Sequence, residues 1–261
     1  MAPIDSKLVP NLRRVSAHVW SSGRPEGEEA FRALAALGVK TIISVDGERP
    51  QVEAAKRAGI RYVHLPFGYS GVPEERALAI AKAMHEVPGP VLLHCHHGLH
   101  RGPAAAAIAR LSLDGGSVAE ALAEMRAAGT DAHYRGLFAS IERFVPPSSE
   151  TLARTSCELP EVAPSTTTVG FMVEIDARFA RLRAQKAEEG DFAHETLLLR
   201  ESFVELGRAQ DRGDEWRTKL AAMLDSVAAL ESEARTGPPS PSALERAKRS
   251  CASCHERFRD N

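Results

Sequence analysis

Val91-Leu92-Leu93-His94-Cys95-His96-His97-Gly98-Leu99-His100-Arg101-Gly102 decides the fold of the N-terminal half. A short apolar run with strand character ends at His94, and an Ala-rich helical pattern over 104–111 follows the loop. A loop between a strand end and a helix start turns backbone N–H groups into one concavity, and the helix dipole adds positive potential there. A cysteine in that place, Cys95, is held as thiolate and becomes a nucleophile at neutral pH. Arg101 can grip two phosphate oxygens with its planar fork. Between them lie the loop positions His96, His97, Gly98, Leu99 and His100. We read His94 as orienting the loop and the other imidazoles as partly solvated cations that favour anions. A metal site is the less favoured reading, because successive loop side chains rarely converge on one ion without a defined turn.

Outward from this stretch, β-branched runs alternate with helical patterns. Helices are expected over 28–37, closed by Gly38, and over 51–58, closed by Gly59; strands over 40–45, 60–65 and 90–94; further helices over 73–87, 102–113 and 118–127. Alternating strand and helix implies βαβ units, hence an α/β three-layer domain with a central, mostly parallel sheet. Ligand sites in such sheets lie at the carboxyl ends of the strands. Two proline- and serine-rich stretches, 146–149 and 160–168, read as a linker. The expected organisation is therefore domain 1–147, linker 148–166 and a second domain over 167–261.

The cysteine, five residues and arginine between strand and helix, with His94 before and Gly98 within, resemble the protein tyrosine and dual-specificity phosphatase superfamily over about residues 10–145. The resemblance implies a phosphocysteine mechanism. Cys95 attacks phosphorus, Arg101 holds the phosphoryl oxygens, and an Asp on another loop protonates the leaving group. Gly102 departs from the pattern, since the family usually has Ser or Thr there to help release the thiolate. The loop over 66–73, where the acid is expected, holds no carboxylate, and Ser70 occupies the position. Glu74, Glu75, Asp46 and Asp131 remain as candidates, Glu74 and Asp46 foremost. Each also has a plain structural role: Glu74 and Glu75 suit a first helical turn, and Asp46 begins an Asp-Gly turn. The expectation is a phosphoric monoester hydrolase of weakened turnover, or an inactive pseudo-phosphatase that binds an anion or a partner.

Beyond the linker the pattern is all helical, with helices expected over 168–187, 192–211, 214–235 and 241–259 and breaks at Gly190-Asp191, 211–213 and 237–239. Short connections suggest an antiparallel four-helix bundle, which also offers a surface for a homodimer. The last helix carries Cys251-Ala252-Ser253-Cys254-His255. Two thiols three positions apart can each form a thioether to a haem vinyl group, and the adjacent His can reach the iron. A zinc knuckle would want a further Cys or His pair, and only His194 offers itself nearby. A redox CxxC normally sits in an α/β unit. With Glu256-Arg257-Phe258-Arg259 the segment resembles the C-terminal motif of the cytochrome c-prime and c-556 family, a four-helix bundle. The resemblance implies covalent haem c on Cys251 and Cys254, His255 as axial ligand, and a residue of the first helix on the other face: Met172, or Phe171 blocking it. A Met ligand raises the potential. A redox partner is then expected, with electron transfer or gas sensing as the alternative function of the whole chain.

The chain has 261 residues, 43% apolar and 26% charged, with a formal net charge of -2. This is a globular profile that does not suggest nucleic-acid binding, and no apolar run reaches the roughly 20 residues of a membrane span. Four cysteines are too few for a disulfide scaffold, and Cys157 reads as an ordinary thiol. The N-terminal stretch 1–7 has no apolar h-region. Thioether attachment in the resembled family takes place outside the cytoplasm, so a periplasmic location is expected, with a cytoplasmic one if no haem is attached.

Overall fold

The computed structural model describes residues 8–164, 166–185 and 190–259. The stretch 1–7 and the last two positions of the helix expected over 168–187 lie outside the described residues. The chain divides into two compact units, Met1–Pro164 and Ser165–Asn261.

The first unit contains strands β1 (Arg13–Arg14), β2 (Val19–Ser22), β3 (Thr41–Ser44), β4 (Arg61–His64) and β5 (Val91–His94). Its helices are α1 (Gly27–Ala36), α2 (Val52–Arg57), α3 (Glu74–Glu86), α4 (Arg101–Leu113), α5 (Val118–Ala127), α6 (Arg135–Glu142) and α7 (Ser149–Arg154). The sheet order is β1-β2-β5-β3-β4, with only the β1–β2 pairing antiparallel. The register aligns Trp20, Leu92, Ile42 and Tyr62 in one row. Phe31 and Leu34 of α1 and Val52 and Ala55 of α2 bury that face. On the other, α4 lies against β2 and β5 and is flanked by α3, α5 and α6. The run from Ala104 to Ala109 is buried all round. Such small side chains let sheet and helices approach α4 from several sides at once.

One register row ends the parallel strands. Ser22, His94, Ser44 and His64 stand side by side at the carboxyl edge, and all four are buried. The site is built on this polar rim.

Four elements escaped the sequence pattern. Strand β1 has two residues, and β2 (Val-Trp-Ser-Ser) is half polar, so neither gives a β signature. Helix α6 starts at Tyr134 without a side-chain cap. Helix α7 lies inside the expected linker, capped by Ser148, whose side chain accepts from Thr151 N. The rest of that stretch also packs on the first unit. Lys82 Nζ donates to the carbonyls of Leu152, at 3.2 Å, and Thr155. His64 N donates to the Pro160 carbonyl at 2.7 Å, and Ala163 N donates to His64 Nδ1 at 3.0 Å. The side chains of Lys82 and His64 and one outward N–H of β4, rather than a full ladder, hold this backbone, so composition alone misreads it as linker.

The second unit holds α8 (Thr168–Ala184), α9 (Phe192–Ala209), α10 (Asp214–Ala234) and α11 (Pro241–Phe258). Thr167, Asp191 and Ser240 cap α8, α9 and α11 through their side chains. Phe171, Ile175, Phe179, Leu199, Phe203, Trp216 and Leu230 are among the core residues. Each helix packs on the next in the chain, but α8 and α11 share no comparable interface. An antiparallel four-helix bundle was expected, and four consecutive helices that contribute to one core are compatible with it.

Gly98 has φ +74°, and a Cβ there would overlap the backbone of Ser22 and Gly23. Gly98→Ala is expected to cost about 3 kcal/mol or more, combining left-handed strain with a backbone clash. Urea unfolding of the full chain measures it; a cost below about 1 kcal/mol would mean the loop has another conformation available.

Candidate active site

The loop joining β5 to α4 is pinned from outside. Arg24 N donates to the His96 carbonyl at 2.9 Å, Asn11 Nδ2 to that of His97 at 2.8 Å, and Thr130 Oγ1 to that of Leu99 at 2.7 Å. In a trans peptide the N–H points opposite to the carbonyl. Carbonyls drawn outward thus turn N–H groups toward the inner side of the loop, the arrangement that receives an anion. Gly98 supplies the left-handed residue the turn needs.

Cys95 opens this loop and Arg101 closes it as the first residue of α4; each is only 1% exposed. The guanidinium is surrounded by named partners. Its Nη1 donates to the Phe67 carbonyl at 3.1 Å, and its Nη2 to the Tyr69 hydroxyl at 3.0 Å and to Asp46 Oδ1 at 3.3 Å. The Tyr69 ring lies under the guanidinium carbon at 4.1 Å. Burying this cation requires a counter-charge, and Asp46, also buried, supplies it.

His94 is wholly buried before the cysteine. Burial drives its imidazole down to about 4, outweighing the nearby Asp46 charge, so it is neutral at pH 7. One tautomer serves both neighbours: Nδ1–H faces the Cys95 carbonyl at 3.3 Å and Nε2 accepts from the Tyr62 hydroxyl at 2.6 Å. The same burial lifts the Tyr62 phenol far above its ordinary value. His64 is likewise lowered by burial, bonded through Nε2 to the Asp46 carbonyl at 2.7 Å.

The expected site residues separate as follows. Cys95, Arg101, Asp46 and the loop 96–100 gather at the carboxyl edge. Glu74 does not join them; it is exposed at the start of α3, where it suits the helix dipole. The four loop imidazoles do not converge. His96 turns toward Asp46, at 3.7 Å, and Glu48, at 3.6 Å. His100 stacks on Tyr134, centroids 4.3 Å apart, and that ring meets Tyr69 at 5.4 Å. Among the described residues, Asp46, Glu48 and His96 are grouped closely enough to hold a metal ion. Both carboxylates are already engaged, Asp46 by Arg101 and Glu48 by Arg24, so we assign no ion there. The His96 imidazole and the Arg24 guanidinium hold the Glu48 carboxyl below its ordinary range, against burial.

Arg24, Glu48, Tyr69 and Tyr134 were not anticipated. Arg24 and Glu48 follow β2 and β3, where the carboxyl-edge rule points, but β2 had gone unseen. Tyr69 lies in the loop expected to hold the acid, but a phenol there carries none of the carboxylate signal that marks an acid in the sequence.

In the second unit, Cys251 and Cys254 lie on one side of α11 in line with Ala243 and Ala247, and His255 stands exposed at the margin of that stripe. Burial pushes the Cys251 thiol up to about 11, and raises Cys254 too. Met172, Cys251, Cys254 and Phe258 all pack, partly exposed, against the same core. Beside Met172 on α8, Val169 and Val173 are 71% and 66% exposed. Two thiols and an adjacent imidazole on this stretch of α11 are the donor set that covalent haem c takes. Among the described residues no helix is long and apolar enough to cross a membrane.

A pinned loop from strand to helix, a cysteine opening it and an arginine closing it give the first unit the layout of a phosphatase-like α/β domain, and the sequence likeness covers about half of the chain. No family model matches the chain. Over 123 residues, 46% of its length, the chain is 32% identical to the dual specificity protein phosphatase TpbA of Pseudomonas aeruginosa, in strains UCBPP-PA14 and PAO1. The match spans 55% of that protein, so the chain covers about half the length of the curated relatives it matches. The crystal structure of P. aeruginosa TpbA aligns with a TM-score of 0.45 and 28% identity over 54% of this chain and 87% of that one. The core catalytic domain of the PP-IP phosphatase SIW14 from S. cerevisiae, in complex with citrate, gives a TM-score of 0.45 and 22% identity over 55% and 89%.

A histidine buried neutral contributes stability that is present above its unfolded value and lost as pH falls toward its folded one. For His94 that window runs from 6.5 down to about 4. Urea stability is expected to fall across it by up to about 3 kcal/mol more in the wild type than in His94→Gln. Parallel profiles would show that His94 is not buried neutral.

Proposed function

We propose that the first unit is a cysteine-dependent phosphoric monoester hydrolase of the dual-specificity type, and that the second unit carries covalent haem c. The observation that carries the first part is the pairing of a buried Cys95 with a buried Arg101 across a loop whose carbonyls are drawn outward. The relatives named dual specificity protein phosphatase support it.

Cys95 Sγ attacks the phosphorus of a phosphate monoester held by the loop N–H groups and by Arg101. The S–P bond forms as the bond to the leaving oxygen breaks, and water then hydrolyses the phosphocysteine. Asp46 keeps the guanidinium in place as its counter-charge. Neutral His94 fixes the loop entrance through the Cys95 carbonyl. Gly102 withholds one aid, since a Cβ there would stand 3.5 Å from Cys95 Sγ and 3.1 Å from Cys95 N. A serine hydroxyl at this position would reach the sulfur and ease its departure.

On the second unit, Cys251 and Cys254 would hold haem through thioethers, and His255 and Met172 of α8 would supply ligands to its iron. Bound there, haem supplies a one-electron centre. The packing of Met172, Cys251, Cys254 and Phe258 against one core supports this reading. A periplasmic location and a redox partner follow from it, and a second copy of the chain is a candidate cover for exposed Val169 and Val173.

Two assays test the pair of assignments. Cys95→Ser is expected to abolish hydrolysis of phosphotyrosine and p-nitrophenyl phosphate. Gly102→Ser is expected to raise phosphocysteine breakdown about tenfold, the worth of one hydrogen bond near the sulfur. Phosphate binding with no turnover in either the wild type or Gly102→Ser would make the domain a pseudo-phosphatase. For haem, the chain is expressed in the periplasm with haem-maturation machinery, denatured and extracted with acidified organic solvent. A pyridine haemochrome spectrum of c type is expected to stay on the polypeptide and to vanish in Cys251→Ala/Cys254→Ala. A wild-type chain without retained haem would overturn the assignment.

A further inference from the structure

We propose that the general acid of this site is the phenol of Tyr69. The inference rests on the phosphatase reading above and names the group that reading leaves open.

The loop after β4 reaches the phosphate-binding arginine with two groups, the Phe67 carbonyl and the Tyr69 hydroxyl. Of these only the phenol carries a proton to give. It stands 3.0 Å from Arg101 Nη2, so an oxygen gripped by that guanidinium and the leaving oxygen of the same tetrahedron come close to it. The phenol oxygen accepts from Nη2 and still carries its own proton. Its ring is fixed by the guanidinium beneath it at 4.1 Å and by Tyr134 at 5.4 Å, with His100 edge-on at 6.0 Å. The side chain is buried, so the proton is delivered away from bulk water.

The carboxylates are placed for other work. Asp46 is committed to the ion pair with Arg101, whereas an acid must arrive protonated. Glu74 is exposed on α3. Asp131 accepts from His133, 2.7 Å away. Glu48 is held ionised by His96 and Arg24.

The step balances. As the Cys95 S–P bond forms, the P–O bond breaks and the Tyr69 O–H gives its proton to the departing oxygen. This leaves a phenolate beside the Arg101 cation. When water attacks the phosphocysteine, its proton returns to Tyr69, phosphate leaves, and Cys95 is again a thiolate. A phenol, ordinarily titrating near 10, stays protonated across the neutral range, unlike a carboxyl acid. It is matched to leaving groups of similar basicity, such as phenols.

The test uses the full chain, the wild type and Tyr69→Phe, which keeps the ring over Arg101. Phenyl phosphate needs a proton on its leaving oxygen; 2,4-dinitrophenyl phosphate does not. Tyr69→Phe is expected to lower kcat/KM on phenyl phosphate about 100-fold, within the usual worth of general acid catalysis, while kcat/KM on the dinitrophenyl ester, which reports the same leaving-group step, changes less than about threefold. Equal losses on both esters, or none on either, would overturn the assignment while leaving the hydrolase reading intact. A wild-type chain that hydrolyses neither ester overturns both. The wild-type pH profile decides without the variant: kcat on phenyl phosphate is expected to hold from about pH 6 to about pH 9, and a basic limb centred near pH 5 to 6 would return the role to a carboxyl.

Discussion

The first unit depends on how it tolerates one buried cation. Arg101 opens α4 with its guanidinium almost out of reach of solvent, and an uncompensated charge there would cost several kcal/mol. Asp46 balances it from the end of β3, the Phe67 carbonyl takes one donor, and the Tyr69 hydroxyl takes another while its ring lies against the charge. Three strand ends, β3, β4 and β5, must therefore arrive at one place in register. The parallel pairing that sets Ser44 beside both His94 and His64 delivers them there. Seen this way, the sheet is the instrument that holds a counter-charge and a stacking ring around an arginine.

Much of this was legible in the sequence because its signals are local. An apolar run, a cysteine and an arginine at fixed spacing, and an alanine-rich stretch suffice to predict β5, the loop and α4, and glycine stops delimit α1 and α2. What escaped is non-local. Strand β2 reads Val-Trp-Ser-Ser and is made a strand by pairing with β5, not by its own pattern. Helix α6 has no capping side chain to announce it. Tyr69 is functionally suggestive only once it is found against Arg101. Asp46 was legible as a candidate because it follows a strand, but that it pairs with Arg101 emerges only from the fold.

In the helical unit the breaks and caps were readable, and α8 to α11 begin within a residue or so of where the pattern places them. What was not readable is which residues line their shared core, where Met172, Cys251, Cys254 and Phe258 pack partly exposed beside buried Ala243 and Ala247.

The return of residues 160–163 along β4 bears on how the molecule avoids sticking to itself. β4 is the outer strand of the sheet, and an outer strand presents unmet N–H and carbonyl groups to any chain that passes. Here the Pro160 carbonyl accepts from His64 N, and the His64 imidazole receives Ala163 N, so the protein's own chain occupies part of that edge. A phosphatase-like fragment ended at residue 147 would keep its loop and its arginine yet bare this edge, and would trade a self-limiting sheet for one open to strand-by-strand association.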